Sequence, residues 1–308
     1  MAHASTTARR HGKVMRISAW IQWKHSDLQA LLKGNYCKPN INDIQVLYQS
    51  SNFIVVNKHY DLVINSDDPS VLSVETQLRH LHPELVDSSI AHGFRFAHRL
   101  DYSTSGVLCL GLNRKAAGWA MNAFRNRRAV KYYTALLRGH VSPTQAKNQS
   151  RKLEGDIGMD VAALERGAHH MCLASEPNCK DAKSATTELV LLQHGQYEGR
   201  PVSKVLLIPH TGRTHQLRVH CAALGHHIVG DYTYSRRTDT NTFRMMLHAH
   251  RLCLPLSKED LDVTAPDPFQ PEFDARWKPE QSFMTVQEWE HCEATEPETV
   301  QLCKGSLE

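Results

Sequence analysis

Long apolar runs are missing from this sequence. None approaches the ~20 residues that a membrane-spanning helix needs, and the mean hydropathy of −0.45 points the same way. Eight cysteines are present, at positions 37, 109, 172, 179, 221, 253, 292 and 303, but no C-x-x-C pair. Cys109 and Cys221 sit inside apolar segments. Reduced thiols in an intracellular protein are therefore expected rather than a disulfide framework. Twenty histidines invite a metal, yet there is no H-E-x-x-H and no Cys/His quartet with zinc spacing. His215 and His220 are five apart, which suits one face of neither helix nor strand. His169, His170, Cys172 and Cys179 form the remaining cluster, in a stretch that reads as loop. GHHIVGDYT (225–233) has two glycines but no Gly-Lys-Ser/Thr to cradle a nucleotide phosphate. No G-x-S-x-G marks a serine hydrolase, since TSG at 104–106 lacks the leading glycine. Internal repeats are absent too.

Acids are missing from the first 26 residues, which carry five bases: Arg9, Arg10, Lys13, Arg16 and Lys24. Such a segment resembles a mitochondrial transit peptide, or reads as a disordered basic arm. The opposite bias closes the chain. From Ser257 to Glu308 there are 13 acids and 4 bases, net −9. The other 256 residues hold 32 bases and 19 acids, net +13. A basic body suits a polyanionic partner. A solubilising tail on an ordinary basic enzyme would give the same counts.

With 308 residues, 41% of them hydrophobic, one large domain with extensions or two smaller domains can be built. IQVLY (44–48) and FIVVNK (53–58) read as a hairpin. Residues 114–128 read as a helix capped by Asn113, with Ala117, Met121 and Phe124 as its apolar face. Arg125, Arg127 and Arg128 close it, as complements to the helix dipole or as phosphate contacts. VKYYTALLRG (130–139) is a strand, and 142–184 a long irregular insertion. Strands resume at 187–192 and 203–209. A helix over 214–225 follows, with Thr214 as N-cap, Leu217, Cys221 and Leu224 as its buried stripe, and Gly225 as its stop. MMLHAHRLCLPL (245–256) is a last core strand, and the body is expected to end near residue 270. Strands in hairpin-like succession predict an α+β fold with a mostly antiparallel sheet.

One stretch raises a chemical question. In FRFAHRLDYSTSGVLCLGLN (94–113), Arg99 and Asp101 stand at the mouth of a strand whose apolar run is nearly unbroken. In an extended chain they project to one side. Burying charge is costly unless it is paired. The pair is thus either a clip on a turn or the working end of a site, and the pattern alone leaves both open. A positioned, ionised aspartate can serve as nucleophile or base.

HRLDYSTSG (98–106) resembles the H-R-L-D-x-x-T-S-G signature of the RluA-type pseudouridine synthases. IQVLYQSSNFIVVNK (44–58), VKYYTALLRGHV (130–141), KSATTELVLL (183–192), PHTGRTHQLRVHCAALGHHIVGDYTY (209–234) and RMMLHA (244–249) are similar to further blocks of that family, in order. The nearest branch by resemblance is the animal RNA pseudouridylate synthase domain-containing group. One departure is Lys58-His59-Tyr60-Asp61, where the family often has K-P-x-G; it bears on the local turn. A convincing N-terminal S4 domain does not fit in residues 1–42.

The resemblance implies the pseudouridine synthase fold, a bent, mixed, mostly antiparallel sheet with a central RNA cleft. It implies an enzyme that detaches uracil from C1′, rotates it and rejoins it through C5, with no cofactor and no metal. Asp101 would be the catalytic carboxylate, Arg218 its basic partner, and Tyr133 the aromatic that packs on the target base and helps to remove the C5 proton. Arg99 would fill the gap left by the flipped base. His98, Thr104, Arg213, His215 and Leu217 would line the substrate site. The expected layout is a basic extension (1–42), a catalytic domain (43–270) and an acidic tail (271–308) that competes with RNA for the basic body. RNA is the expected partner, the chain a monomer away from membranes, and the compartment cytoplasm or mitochondrion. The competing reading is a catalytically weak RNA-binding or RNA-folding factor that uses the same cleft.

Overall fold

The computed structural model describes residues 38–144 and 150–295. The basic segment 1–26, Cys37 and Cys303 lie outside them. The expected first hairpin is present as β1 (Gln45–Gln49) and β2 (Phe53–Lys58), paired antiparallel. Ser50 turns it, its hydroxyl accepting from the Asn52 and Phe53 amides. Helix α1 (Val74–Leu81) starts from a capping box between Ser73 and Thr76. Then come β3 (Arg95–Phe96) and β4 (Ser105–Gly111), the latter buried throughout.

Helix α2 (Arg114–Arg125) is capped by Asn113 as expected, but it ends three residues early. Arg127 takes a left-handed φ of 57°, which turns the chain into β5 (Val130–Arg138). Its buried face is Ala116, Ala117, Ala120 and Ala123, while Met121 is 48% exposed. Small side chains let the helix lie close on the sheet, where Gly111 has no room for a Cβ against Ala117.

The insertion expected to be irregular is ordered. It contains β6 (Arg151–Glu154), β7 (Ile157–Asp160), a short α3 (Val161–Glu165), β8 (Met171–Leu173) and β9 (Cys179–Lys183). Strands β8, β7 and β9 form a separate three-stranded antiparallel sheet. The long hairpin β10 (Thr186–Tyr197) and β11 (Arg200–Pro209) outruns its apolar core segments. Its turn residues Glu198 and Gly199 both have positive φ, which suits a tight two-residue connection. Helix α4 (Gln216–Ala223), β12 (Leu247–Leu254), β13 (Leu261–Thr264), β14 (Trp277–Ser282) and α5 (Val286–Thr295) complete the described chain.

The main sheet runs β1-β2-β4-β12-β5-β11-β10-β14, with β13 on β12, β3 on β4 and β6 on β10. The β12–β4 pair is parallel, at Ser105 and Gly106, and the other pairs are antiparallel. The sheet is thus mixed and mostly antiparallel, in the expected α+β class. Alternate residues of β2 and β4 feed two cores. Ile54, Val56, Leu108 and Leu110 pack with Leu78 and Leu100, whereas Val55, Val107 and Cys109 meet the alanines of α2. That explains the unbroken apolar run: both faces are covered. Tyr133 touches the core under α1 and the core under α4, at the seam where the site forms.

The body does not stop near residue 270. Strand β14 adds to the edge of β10, Trp277 is 1% exposed, and Val286 and Trp289 of α5 pack on Tyr132 and Leu206.

Candidate active site

Asp101 sits in a tight turn between buried Leu100 and the start of β4. The Thr104 amide donates to the Asp101 carbonyl (3.1 Å) and closes the turn. Gly106 has φ +110°, and a Cβ there would lie 2.2 Å from the Ala249 carbonyl oxygen. Glycine is what lets β4 run against β12. From the other side, buried Lys58 fastens the same turn. Its Nζ donates to the carbonyls of His59 (2.9 Å), Leu62 (2.6 Å) and Tyr102 (2.9 Å), which matches the three donors of an ammonium. Burial pulls the Lys58 pKa down to about 7, Arg244 adds to that, and Asp61 and Asp101 oppose it. The departure at Lys58-His59-Tyr60-Asp61 keeps its turn. Asp61 stands where K-P-x-G would place glycine and adopts a left-handed φ of 52°, which aspartate is among the few side chains to tolerate.

Arg218 lies on α4, whose entry differs from expectation. The cap position is His215, at φ 55° with no side-chain cap, not Thr214. The turn is instead stapled by Gln216, whose Oε1 accepts from the Arg213 amide (3.0 Å) and the Thr211 hydroxyl (2.7 Å). Arg218 spends its fork on Asp231: Nε and Nη2 each donate to one carboxylate oxygen at 2.8 Å. Its third nitrogen faces Asp101, with Nη1 and Oδ2 3.8 Å apart. The Asp231 side chain is fully buried and that of Asp101 retains 22% of its exposure. Burial opposes the Arg218 charge, but the bonded Asp231 outweighs it and raises the pKa. Tyr234 lies under the guanidinium, its ring centre 4.8 Å away.

The residues expected to act together do meet, with one addition. Asp101, Arg218 and Tyr133 do converge, and burial with the nearby Asp101 carboxylate raises the Tyr133 pKa. The first partner of Arg218, however, is Asp231. It sits in the GDYTY turn, where nothing in the pattern links it to Arg218. His215 adjoins the group: its Nδ1 is 2.9 Å from the Tyr234 hydroxyl, and burial, then Arg218, brings its pKa to about 4. Leu217 is buried in the core beside it, and Thr104 is buried under the Asp101 turn. Arg213 is tied to the Ser184 carbonyl (3.0 Å). Arg99 is exposed beside Asp101. His98 leaves the substrate side. Its ring stacks on Phe124 (4.7 Å) and its Nε2 accepts from the Cys109 amide (2.9 Å). Burial takes it to about 3, so it is a neutral wedge that positions the turn.

Beside this turn opens a cavity of about 490 Å3, lined in part by Asp61, Ser103, Tyr232, Arg244 and Arg276. Among the described residues, no group of three or more His, Cys, Asp or Glu side chains is placed to hold a metal ion. Nor is any described helix long and apolar enough to cross a membrane.

Comparison with known proteins agrees with the motif reading. A family model described as RNA pseudouridylate synthase matches residues 52–223. RNA pseudouridylate synthase domain-containing protein 1 of Danio rerio is 50% identical over 241 residues, covering 78% of this chain and 80% of that protein. The dual-specificity RNA pseudouridine synthase RluA of Escherichia coli K12 is 32% identical over 241 residues, covering 76% and 98%. The solved structure of human RNA pseudouridylate synthase domain containing 1 superposes with a TM-score of 0.74 at 42% identity, over 85% of this chain and 98% of that one. The fold is that of the pseudouridine synthases, and the chain belongs to the RNA pseudouridylate synthase family, as an isomerase of that class.

Proposed function

We propose that this chain converts uridine to pseudouridine in structured RNA (ribosomal, transfer or messenger), with Asp101 as nucleophile and no cofactor, acting as a monomer. One observation carries the reading. Asp101 is a partly exposed carboxylate beside the cavity, and it faces a guanidinium that is already locked elsewhere. Because Asp231 holds Arg218 rigidly, its third nitrogen is a preorganised positive charge. It attracts and orients the Asp101 carboxylate and stabilises the negative charge that returns to it when it leaves.

A uridine in a paired stem must first leave the stack, at a cost of a few kcal/mol. Arg99, exposed two residues before the nucleophile, can fill the gap and meet phosphates. Tyr133 offers its ring to the flipped base. Burial and the nearby Asp101 carboxylate raise its pKa and keep the phenol neutral, so its hydroxyl can relay a proton while the ring packs on the base. Asp101 attacks the sugar or the base, the glycosidic bond to N1 breaks, and the ring rotates and rejoins C1′ through C5. The C5 proton then passes through the Tyr133 hydroxyl to water, which restores the aromatic uracil ring and completes the exchange.

Tritium release from RNA labelled at uracil C5 tests this directly. Release is expected from wild type and not from Asp101→Ala. Asp101→Asn is expected to fold and bind RNA nearly as wild type does, without turnover. Turnover by Asp101→Asn would remove the nucleophile assignment, and no release by wild type from any RNA class would favour a binding factor. Imaging the full chain beside one that starts at residue 27 separates cytoplasm from mitochondrion.

A further inference from the structure

Between Asp101 and Glu154 the chain contains no acid. Residues 102–153 hold ten lysines and arginines and neither aspartate nor glutamate. Five of these cations belong to α2 and its exit: Arg114, Lys115, Arg125, Arg127 and Arg128, all exposed. None of the five is in an ion pair among the described residues, although Arg128 donates to the Asn122 side chain (2.9 Å).

Helix energetics does not explain them. Arg125 in the last turn suits the dipole, but Arg114 and Lys115 stand in the first turn, where an acid is preferred and none is present. Arg127 follows the Asn126 cap in the left-handed region, a place where glycine is favoured. Cations are therefore kept at positions where the helix itself would choose otherwise.

The patch is continuous with the active site. Phe124 of α2 stacks on His98 at 4.7 Å. The next residue after each member of that pair is an exposed arginine, Arg125 on the helix and Arg99 in the segment between β3 and β4, and Asp101 is two residues beyond Arg99.

We infer that the solvent face of α2 is a phosphate track that holds the RNA flanking the target uridine. The inference rests on the RNA reading above and extends it away from the reacting base. Twelve residues at ~1.5 Å each give a track about 18 Å long, enough for a few consecutive phosphates. Arginine forks match phosphate oxygens. Backbone contacts position a duplex without reading its sequence. An acidic protein partner fits less well, because protein interfaces need an apolar centre, and the large apolar side chain exposed on this helix is Met121.

The test compares wild type with a fourfold variant, R114Q/K115Q/R125Q/R128Q, and with the matching arginines and lysine exchanged as R114K/K115R/R125K/R128K. Tritium release is measured on C5-tritiated cellular transfer and ribosomal RNA, and binding of the same RNA is measured across a salt series. The neutralised variant is expected to raise KM about tenfold with kcat unchanged at saturation. Its log Kd against log salt should be shallower by about 0.7–0.9 for each phosphate that the helix no longer neutralises. The charge-keeping variant should match wild type in both, which separates lost charge from a disturbed helix. Release by wild type together with an unchanged KM and salt slope in the neutralised variant overturns the track alone. Absence of release by wild type, with the slope still reduced, leaves the track standing and overturns the isomerase reading.

Discussion

Arg218 is gripped by one carboxylate and faces another, and the two have opposite fates. Asp231 is sealed and bonded, with further bonds accepted from the Thr233 and Tyr234 amides at 3.1 Å, while Asp101 stays open to solvent. Asp231→Asn would leave the guanidinium buried and uncompensated. Such losses cost about 3–5 kcal/mol, so a urea titration should show a drop of that size, with tritium release falling as well. Unaltered stability would mean that Asp101 or water takes over the pairing. Acid should act through the histidines. Burial lowers the pKa of His59 and His215 to about 4 and that of His98 to about 3, and holds His248 well below the ordinary 6.5. The unfolded chain takes up these protons near 6.5 and the folded chain resists until about 4 or 3. Stability is therefore complete above 6.5 and falls as pH drops through that window, at about 1.4 kcal/mol per pH unit per histidine. Urea midpoints should follow that slope, and His98→Gln should reduce it by one histidine's share; a flat profile would contradict the neutral burial of these rings. The meeting of Asp101, Tyr133 and Arg218 was legible because each lies in a motif. Asp231 was not, because a fork closed across a turn leaves no periodic trace. His98 could have been read better. The alternation that puts Arg99 and Asp101 on one side of an extended chain puts His98 and Leu100 on the other.

At the level of elements, the contact between β4 and β12 sets the position of Asp101. The Gly106→Ala side chain would meet the Ala249 carbonyl at 2.2 Å from a backbone held at φ +110°, so either the strands part or the chain strains. A loss on the order of 3 kcal/mol is expected, visible in chemical denaturation and accompanied by reduced turnover as Asp101 shifts. Stability equal to wild type would show that this crossing is looser than the geometry says. The first hairpin, the Asn113 cap and β5 announced themselves through alternation, turn residues and capping chemistry. Helix α1 did not, since VETQLRHL shows only Val74, Leu78 and Leu81 as apolar side chains in eight residues. The small sheet was hidden for a related reason: strands of three to five residues are too short for a period of two to register.

Across the whole molecule, the acidic end proves to be largely structure. Of the 13 acids after residue 256, ten lie within the described residues. Asp267 pairs with Lys204, Asp274 with Arg276, and Asp262 and Glu290 share Arg251. Glu259 accepts from Tyr48 and Asn52. Charge counts cannot distinguish a solvated tail from carboxylates spent on internal partners, and most of these are spent. The expectation that removing everything after 270 would free the basic body for RNA is revised accordingly. That truncation removes β14 and α5 and uncovers the sites of Trp277, Val286 and Trp289. At ~1.5–3 kcal/mol for each buried side chain, the loss is comparable with the 5–15 kcal/mol that hold a typical protein folded. A chain ending at 270 should fail to give a cooperative thermal transition, whereas one ending at 295 should keep it; a sharp transition in the shorter chain would show that the edge strand is dispensable.

The position of β12 has a consequence for the life of the chain. Strands β4 and β5 leave the ribosome long before it, yet in the finished sheet they are not neighbours, because β12 lies between them. Asp101 rides at the mouth of one and Tyr133 on the other. Until Leu247–Leu254 has been synthesised and has slipped into that gap, the two cannot take up their native distance. On the proposed function, a nascent chain that still lacks β12 holds Asp101 and Tyr133 apart and turns over no RNA. Assembly of the proposed site waits on the last of these three strands to be made.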